Sequence, residues 1–125
     1  MKVIEFVAGL REKEDFTYSN YRGGNDMAEN PLKIFERLDP ELLKLVDHTK
    51  ELALNDGALP RKIKLLIAMA LDASEGAVEG VKSLAEQALK AGATKGEIME
   101  ALRVADYICG AGCVYTAARA FKDIF

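Results

Sequence analysis

Hydrophobic positions along this chain recur at three- and four-residue intervals. The recurring stretches are separated by proline, glycine and polar runs. Asn30-Pro31 supplies an N-cap with proline in the first helical position and opens a short helix through Leu38; Asp39-Pro40 repeats the device. Leu42, Leu45, Val46, Leu52 and Ala53 then fall near one helical face, with Thr49 completing the stripe, until NDGALP at 55–60 breaks the chain. Pro60 starts RKIKLLIAMALDAS, which is apolar on every side after Lys64, the pattern of a helix buried in a domain centre or between subunits. In EGAVEGVKSLAEQALKAG, Ala77, Val81, Leu84, Ala85 and Ala88 form one face, and Gly92 reads as a left-handed cap.

Thr94-Lys95-Gly96-Glu97 is a capping box, followed at helical spacing by Ile98, Ala101, Leu102, Ala105 and Ile108. Gly110 and Gly112 should break or bend this helix and release a last one from about Cys113. Residues 16–30, FTYSNYRGGNDMAEN, read as a connector behind a short leading helix. No stretch shows strand alternation, so the expected fold is all-α, a single domain over 1–125 with about six helices.

Composition narrows the function classes. A chain of 125 residues suits one domain with a real core. Its net charge of −3 gives no general attraction to phosphate backbones or anionic lipid, so nucleic acid is not an expected partner. The longest apolar run, Leu65 to Leu71, is too short to cross a bilayer. The first residues lack the apolar stretch and cleavage site of a signal peptide. Two cysteines do not make a secreted disulfide framework, and a reducing cytoplasm is the expected location.

The order of parts resembles the carboxymuconolactone decarboxylase family, which includes the alkyl hydroperoxidase D-like proteins. The words that carry the resemblance are LPRKIKLLIAMAL, EQALKAGATKGEIMEALRVADY and the glycine-broken CGAG before a last helix, with LKAGATKGEIMEAL the most specific. The match is strongest over 58–121. It implies an all-helical domain that assembles as a homo-oligomer, commonly a trimer or hexamer, with active sites near subunit contacts. It also implies decarboxylase-like or peroxiredoxin-type antioxidant activity on a small molecule, without a cofactor or metal.

The redox branch of that family carries Glu, eleven residues, Cys-x-x-Cys, three residues and His. Counting back without gaps from Ala91-Gly92-Ala93-Thr94 places those four at Leu65, Ala77, Gly80 and Leu84, each apolar or glycine here. Dithiol chemistry needs a thiolate, a resolving thiol and a proton carrier, and none of these side chains supplies one. The resemblance also implies a histidine at the last position in the decarboxylase branch, and Leu84 removes it. His48, the one histidine, shares a face with Lys44 and Glu51 and reads as a surface residue.

Chemistry-bearing residues elsewhere remain as candidates. Cys109 and Cys113 are spaced Cys-x-x-x-Cys; in an unbroken helix their Cβ atoms would lie about 5–6 Å apart. A disulfide wants about 3.5–4.5 Å. If the glycines open the turn, the pair could close and Cys113 would sit at a helix N-terminus, which favours its thiolate; burial would act in the opposite direction. The other reading is close packing of small side chains, with both thiols unreactive until unfolding and Cys109 the more buried because Tyr107 and Ile108 lead into it. A metal site would lack further ligands. For cofactor-free decarboxylation of a lactone acid, Arg103 or Lys82 could hold a carboxylate, while Glu79 or Tyr107 could deliver a proton. Glu75 lies i,i+4 from Glu79, and Asp106 adjoins Tyr107; these, too, could be solvated faces of amphipathic helices. The competing class is a non-catalytic oligomer or small-ligand binder that kept the fold and lost the site.

Overall fold

A computed structural model describes residues 30–125; the expected leading helix and most of the connector lie outside the described residues. A 3-10 turn, Pro31–Ile34, leads into α1, Phe35–Leu38, and then α2, Pro40–Leu54. Four further helices follow: α3, Arg61–Ser74; α4, Val78–Lys90; α5, Lys95–Cys109; and α6, Gly112–Phe121. No strand occurs among the described residues, and the fold is all-α. None of these helices is long and apolar enough to cross a membrane.

The chain divides into two compact units, the first ending at Ala53 and the second comprising Leu54–Phe125. In the first, the Asn30 side chain accepts the Leu32 N–H at 2.9 Å, and Asp39 Oδ1 accepts the Leu42 N–H at 3.0 Å, so both Asx-Pro starts work as read. The stripe on α2 is different. Leu43 and Asp47 are buried, whereas Leu42, Val46 and Leu52 are exposed. Aliphatic residues lie on several sides of α2, and an aspartate on the buried line disguises it from a hydrophobicity pattern. Burial pushes the Asp47 carboxyl up, Lys50 opposes this, and Glu51 adds to it.

The second unit is organised around α3, which packs against α4, α5 and α6. Leu65, Met69, Val81, Ile98 and Cys113 are its largest fully buried side chains. Complete burial of each large aliphatic side chain contributes about 1.5–3 kcal/mol. Ala73, Ala85, Ala88, Ala105, Ala117 and Ala120 fill the remaining core and let the helices approach closely. Within this chain α3 is not buried all round: Ile67 and Leu71 stand 47% and 61% exposed. The run at 65–71 conceals that outward face because it is apolar in every direction.

Local contacts fix the ends of these helices. The Arg61 N–H donates to Asp56 Oδ1 at 2.6 Å and Lys64 Nζ to the Asn55 carbonyl at 2.6 Å, tying the 55–60 loop to the start of α3. Gly92, at φ +97°, ends α4. In the capping box Thr94 Oγ1 accepts the Glu97 N–H at 3.1 Å and Glu97 Oε2 accepts the Thr94 N–H at 3.0 Å. That second bond and the Lys62 ammonium 3.1 Å away hold the Glu97 carboxyl below its ordinary range.

Candidate functional site

Of the four family positions, three lie at the start of α4, just after the α3–α4 turn, and the fourth lies about two helical turns before it on α3. Leu65 is fully buried in the middle of α3. Ala77 occupies the N-cap of α4 and has no side-chain oxygen to cap it; Gly80 and Leu84 follow on the same face, and Leu84 packs on the core. The turn is held by the Ala77 N–H donating to the Asp72 carbonyl at 3.0 Å, with Gly76 at φ +75°. Thiol, imidazole and glutamate are absent from these four positions.

A carboxyl group is nevertheless present. Asp72 is seven residues beyond Leu65, about two helical turns along the same stripe of α3. Its carboxylate lies against the α-carbon of Gly80: a β-carbon at position 80 would overlap Asp72 Oδ2 and stand 2.9 Å from Cγ. Asp72 is half-buried. Its proton affinity is raised, first by burial and then by the neighbouring charge of Glu75. No local motif marks this residue in the sequence. The available signal was the seven-residue spacing from Leu65 together with a glycine inside the next helix.

The second cluster lies at the α5–α6 bend. Gly110 takes φ +88° and ψ 178°, its N–H donating to the Asp106 carbonyl at 2.8 Å, and α6 begins at Gly112. Both cysteines are free thiols, but Cys109 is exposed and Cys113 buried, the reverse of the order expected from the sequence. α5 leaves the core after Ala105, so Tyr107 and Ile108 are 87% and 72% exposed and Cys109 follows them outward. α6 then turns back, carrying Cys113 inward in line with Thr116, Ala117 and Ala120. Cys113 Sγ donates to the Ala105 carbonyl at 3.6 Å. Burial pushes the Cys113 thiol up, and the Cys109 thiol and the Asp106 charge push the same way. The Cys113 backbone N–H opposes these effects without reversing them.

The other sequence candidates are placed apart. Glu75 and Glu79 are exposed at the α3–α4 turn and the first turn of α4; Arg103, Asp106 and Tyr107 are exposed on α5. Among the described residues, no hydrogen bond or ion pair joins Glu79 to Arg103 or Tyr107. Lys82 reaches Asp123 at 3.4 Å. His48 is half-buried on α2, in the first unit. Among the described residues no three His, Cys, Asp or Glu side chains converge as metal ligands.

Comparison with known proteins agrees with the all-α fold. The model of the carboxymuconolactone decarboxylase family matches residues 40–123. The crystal structure of the apo form of a carboxymuconolactone decarboxylase family protein from Legionella pneumophila superposes with a TM-score of 0.69 at 33% sequence identity, covering 73% of this chain and 81% of that one. No curated protein matches the chain.

Proposed function

Because this chain belongs to the carboxymuconolactone decarboxylase family, we propose that it is a cofactor-free, decarboxylase-like member acting on a small organic acid, and not a dithiol peroxidase. The observation that carries this reading is the chemistry left at the family positions. Leu65, Ala77, Gly80 and Leu84 offer neither a nucleophilic nor a resolving thiol, so an O–O bond cannot be reduced there. Loss of CO2 from a lactone acid asks for less: a stabilised electron pair on carbon and a group that hands that carbon a proton, which a carboxyl or phenol can do. The experiment is CO2 release from a panel of five-membered lactone carboxylic acids. Saturable release without added cofactor is expected; release from none of them would leave the small-ligand binder as the better description.

One observation favours a second reading. Cys109 is exposed next to Cys113, so a thiol reaction could begin at Cys109, although the buried and less acidic Cys113 is poorly suited to resolve it. Replacing Cys109 by Ser separates the two readings, since only thiol chemistry depends on it.

Assembly into a homo-oligomer, a trimer or hexamer, is part of the proposal. Its support is the outward apolar side chains of Ile67 and Leu71 on α3 and of Val104, Tyr107 and Ile108 on α5, all between 47% and 87% exposed. Sedimentation as a folded 13.7 kDa monomer at micromolar concentration would overturn it.

A further inference from the structure

We propose that Asp72 is the proton-carrying side chain of the α3–α4 site, with its carboxyl standing in the space that a side chain at position 80 would otherwise fill. The proposal rests on the decarboxylase-like reading and names the residue that would do its proton transfer.

Three observations converge on Asp72. The first is its place on α3. The family resemblance implies a carboxylate at position 65, where this chain buries a leucine completely. Along the same stripe the acidic side chain is found at 72, at the end of α3 that adjoins the start of α4. The carboxylate has in effect moved from the core end of the stripe to the turn.

The second is Gly80. Its backbone is not in the left-handed region, unlike Gly76, Gly92 and Gly110. It lies inside α4, where alanine is the better helix former. Chain path therefore gives no reason for glycine. Room for Asp72 in its present rotamer does: a β-carbon at 80 would overlap the Asp72 carboxylate and turn that side chain away. The pair is matched, the carboxyl occupying the volume that a cysteine at this position would need.

The third is availability. The Asp72 carboxylate accepts no hydrogen bond and forms no ion pair with any described residue, so among the described residues no cation or donor competes with a ligand for it. Glu75 is the neighbouring charge that bears on it, and Glu79 stands exposed on the first turn of α4. Burial and Glu75 both favour the protonated form of Asp72, the form that a proton donor must have before the reaction.

The step balances. The bond between the substrate carbon and its carboxylate breaks, CO2 departs, and the electron pair stays on that carbon, delocalised into the adjoining unsaturated lactone. The Asp72 carboxyl gives its proton to the carbon and becomes a carboxylate, which takes a proton from water. The net change is carboxylate plus proton to CO2 plus a new C–H bond.

The test begins without substrate, by NMR titration of isotope-labelled full-length protein. The Asp72 carboxyl carbon and the Gly80 amide should share one midpoint above the carboxyl's ordinary 3.8, and Asp72→Asn should remove the inflection from Gly80. A Gly80 amide that ignores Asp72, or that titrates unchanged in Asp72→Asn, overturns the pairing. Proton transfer is then read as deuterium uptake from heavy water into a five-membered unsaturated lactone that lacks the carboxylate. Wild type should catalyse uptake, and Asp72→Asn, matched to wild type in its unfolding midpoint, should slow it about 100-fold or more. No uptake by wild type, or equal uptake by the variant, overturns the role. A shared midpoint and Asp72-dependent uptake with no CO2 release from the lactone acids would support Asp72 and remove the decarboxylase reading alone.

Discussion

The α3–α4 turn and the α5–α6 bend each place a glycine near a side chain capable of chemistry, Gly80 against Asp72 and Gly110 next to Cys109. The two glycines serve different ends. Gly110, at φ +88° and ψ 178°, occupies backbone space that is essentially closed to other residues, and it sets the path that turns Cys113 into the core. Gly80 has ordinary helical surroundings and leaves space for a carboxylate. At the bend Cys113 thus ends up buried as packing and only Cys109 is exposed, while at the turn the half-buried Asp72 carboxyl has its proton affinity raised. Environment, more than residue type, decides which of the two regions can work on a ligand.

The largest effect should come from restoring the family's glutamate. Leu65→Glu puts an unpaired carboxylate into a fully buried position, at a cost of several kcal/mol, and should abolish cooperative urea unfolding or lower its midpoint drastically. Leu65→Ala should cost about 2–5 kcal/mol. An unchanged midpoint for Leu65→Glu would mean that position 65 opens onto the site, and the contrast between core leucine and turn aspartate would collapse.

Next in size is the gap between the two thiols. In the native protein Cys109 should react with a thiol reagent at least about 100-fold faster than Cys113, whose labelling waits for the core to open. Mass-spectrometric labelling at neutral pH reads both sites together. Equal rates would make the bend a working pair after all.

The glycines themselves sharpen the comparison. Gly110→Ala should cost about 1–3 kcal/mol whether or not Asp72 is present. Gly80→Ala should depend on Asp72: with Asp72→Ala it should gain up to about 1 kcal/mol from helix propensity, and with Asp72 intact it should lose that gain. A double-mutant cycle showing less than about 0.5 kcal/mol of coupling would separate the two residues.

The smallest effects are in pH dependence, and they have opposite signs. Asp72 is raised in the folded state, so its proton stabilises the fold below the ordinary carboxyl value of 3.8, and that contribution is lost as pH rises through the folded value. Asp72→Asn should therefore gain stability relative to wild type across that rise. Glu97 is lowered, so its contribution is present above its ordinary 4.5 and lost as pH falls through the folded value. Glu97→Gln should accordingly lose stability at neutral pH, and the loss should close in acid. Urea midpoints at a series of pH values check both signs.

Features set by a few neighbouring residues were legible in the sequence. The two Asx-Pro starts, the Thr94–Glu97 box and the breaks at Gly92 and Gly110 all formed as read, because each is closed by contacts within about one turn. The inner stripe of α4 was readable too, since Val81, Ala85 and Ala88 lie opposite polar residues. What failed depended on distant partners. The buried line of α2 carries no local mark. The burial order of Cys109 and Cys113 follows from where α6 turns back. Asp72 is only faintly marked for the same reason: its meaning comes from Gly80, across the α3–α4 contact.

The claim that this site has exchanged thiol for carboxyl chemistry is tested most directly by hydroperoxide reduction with a small dithiol as reductant. The expected result is a rate no higher than the uncatalysed one, the same for wild type and for the Cys109→Ser, Cys113→Ser double variant. A saturable wild-type rate that disappears in that variant would contradict the claim and move the chemistry to the glycine bend.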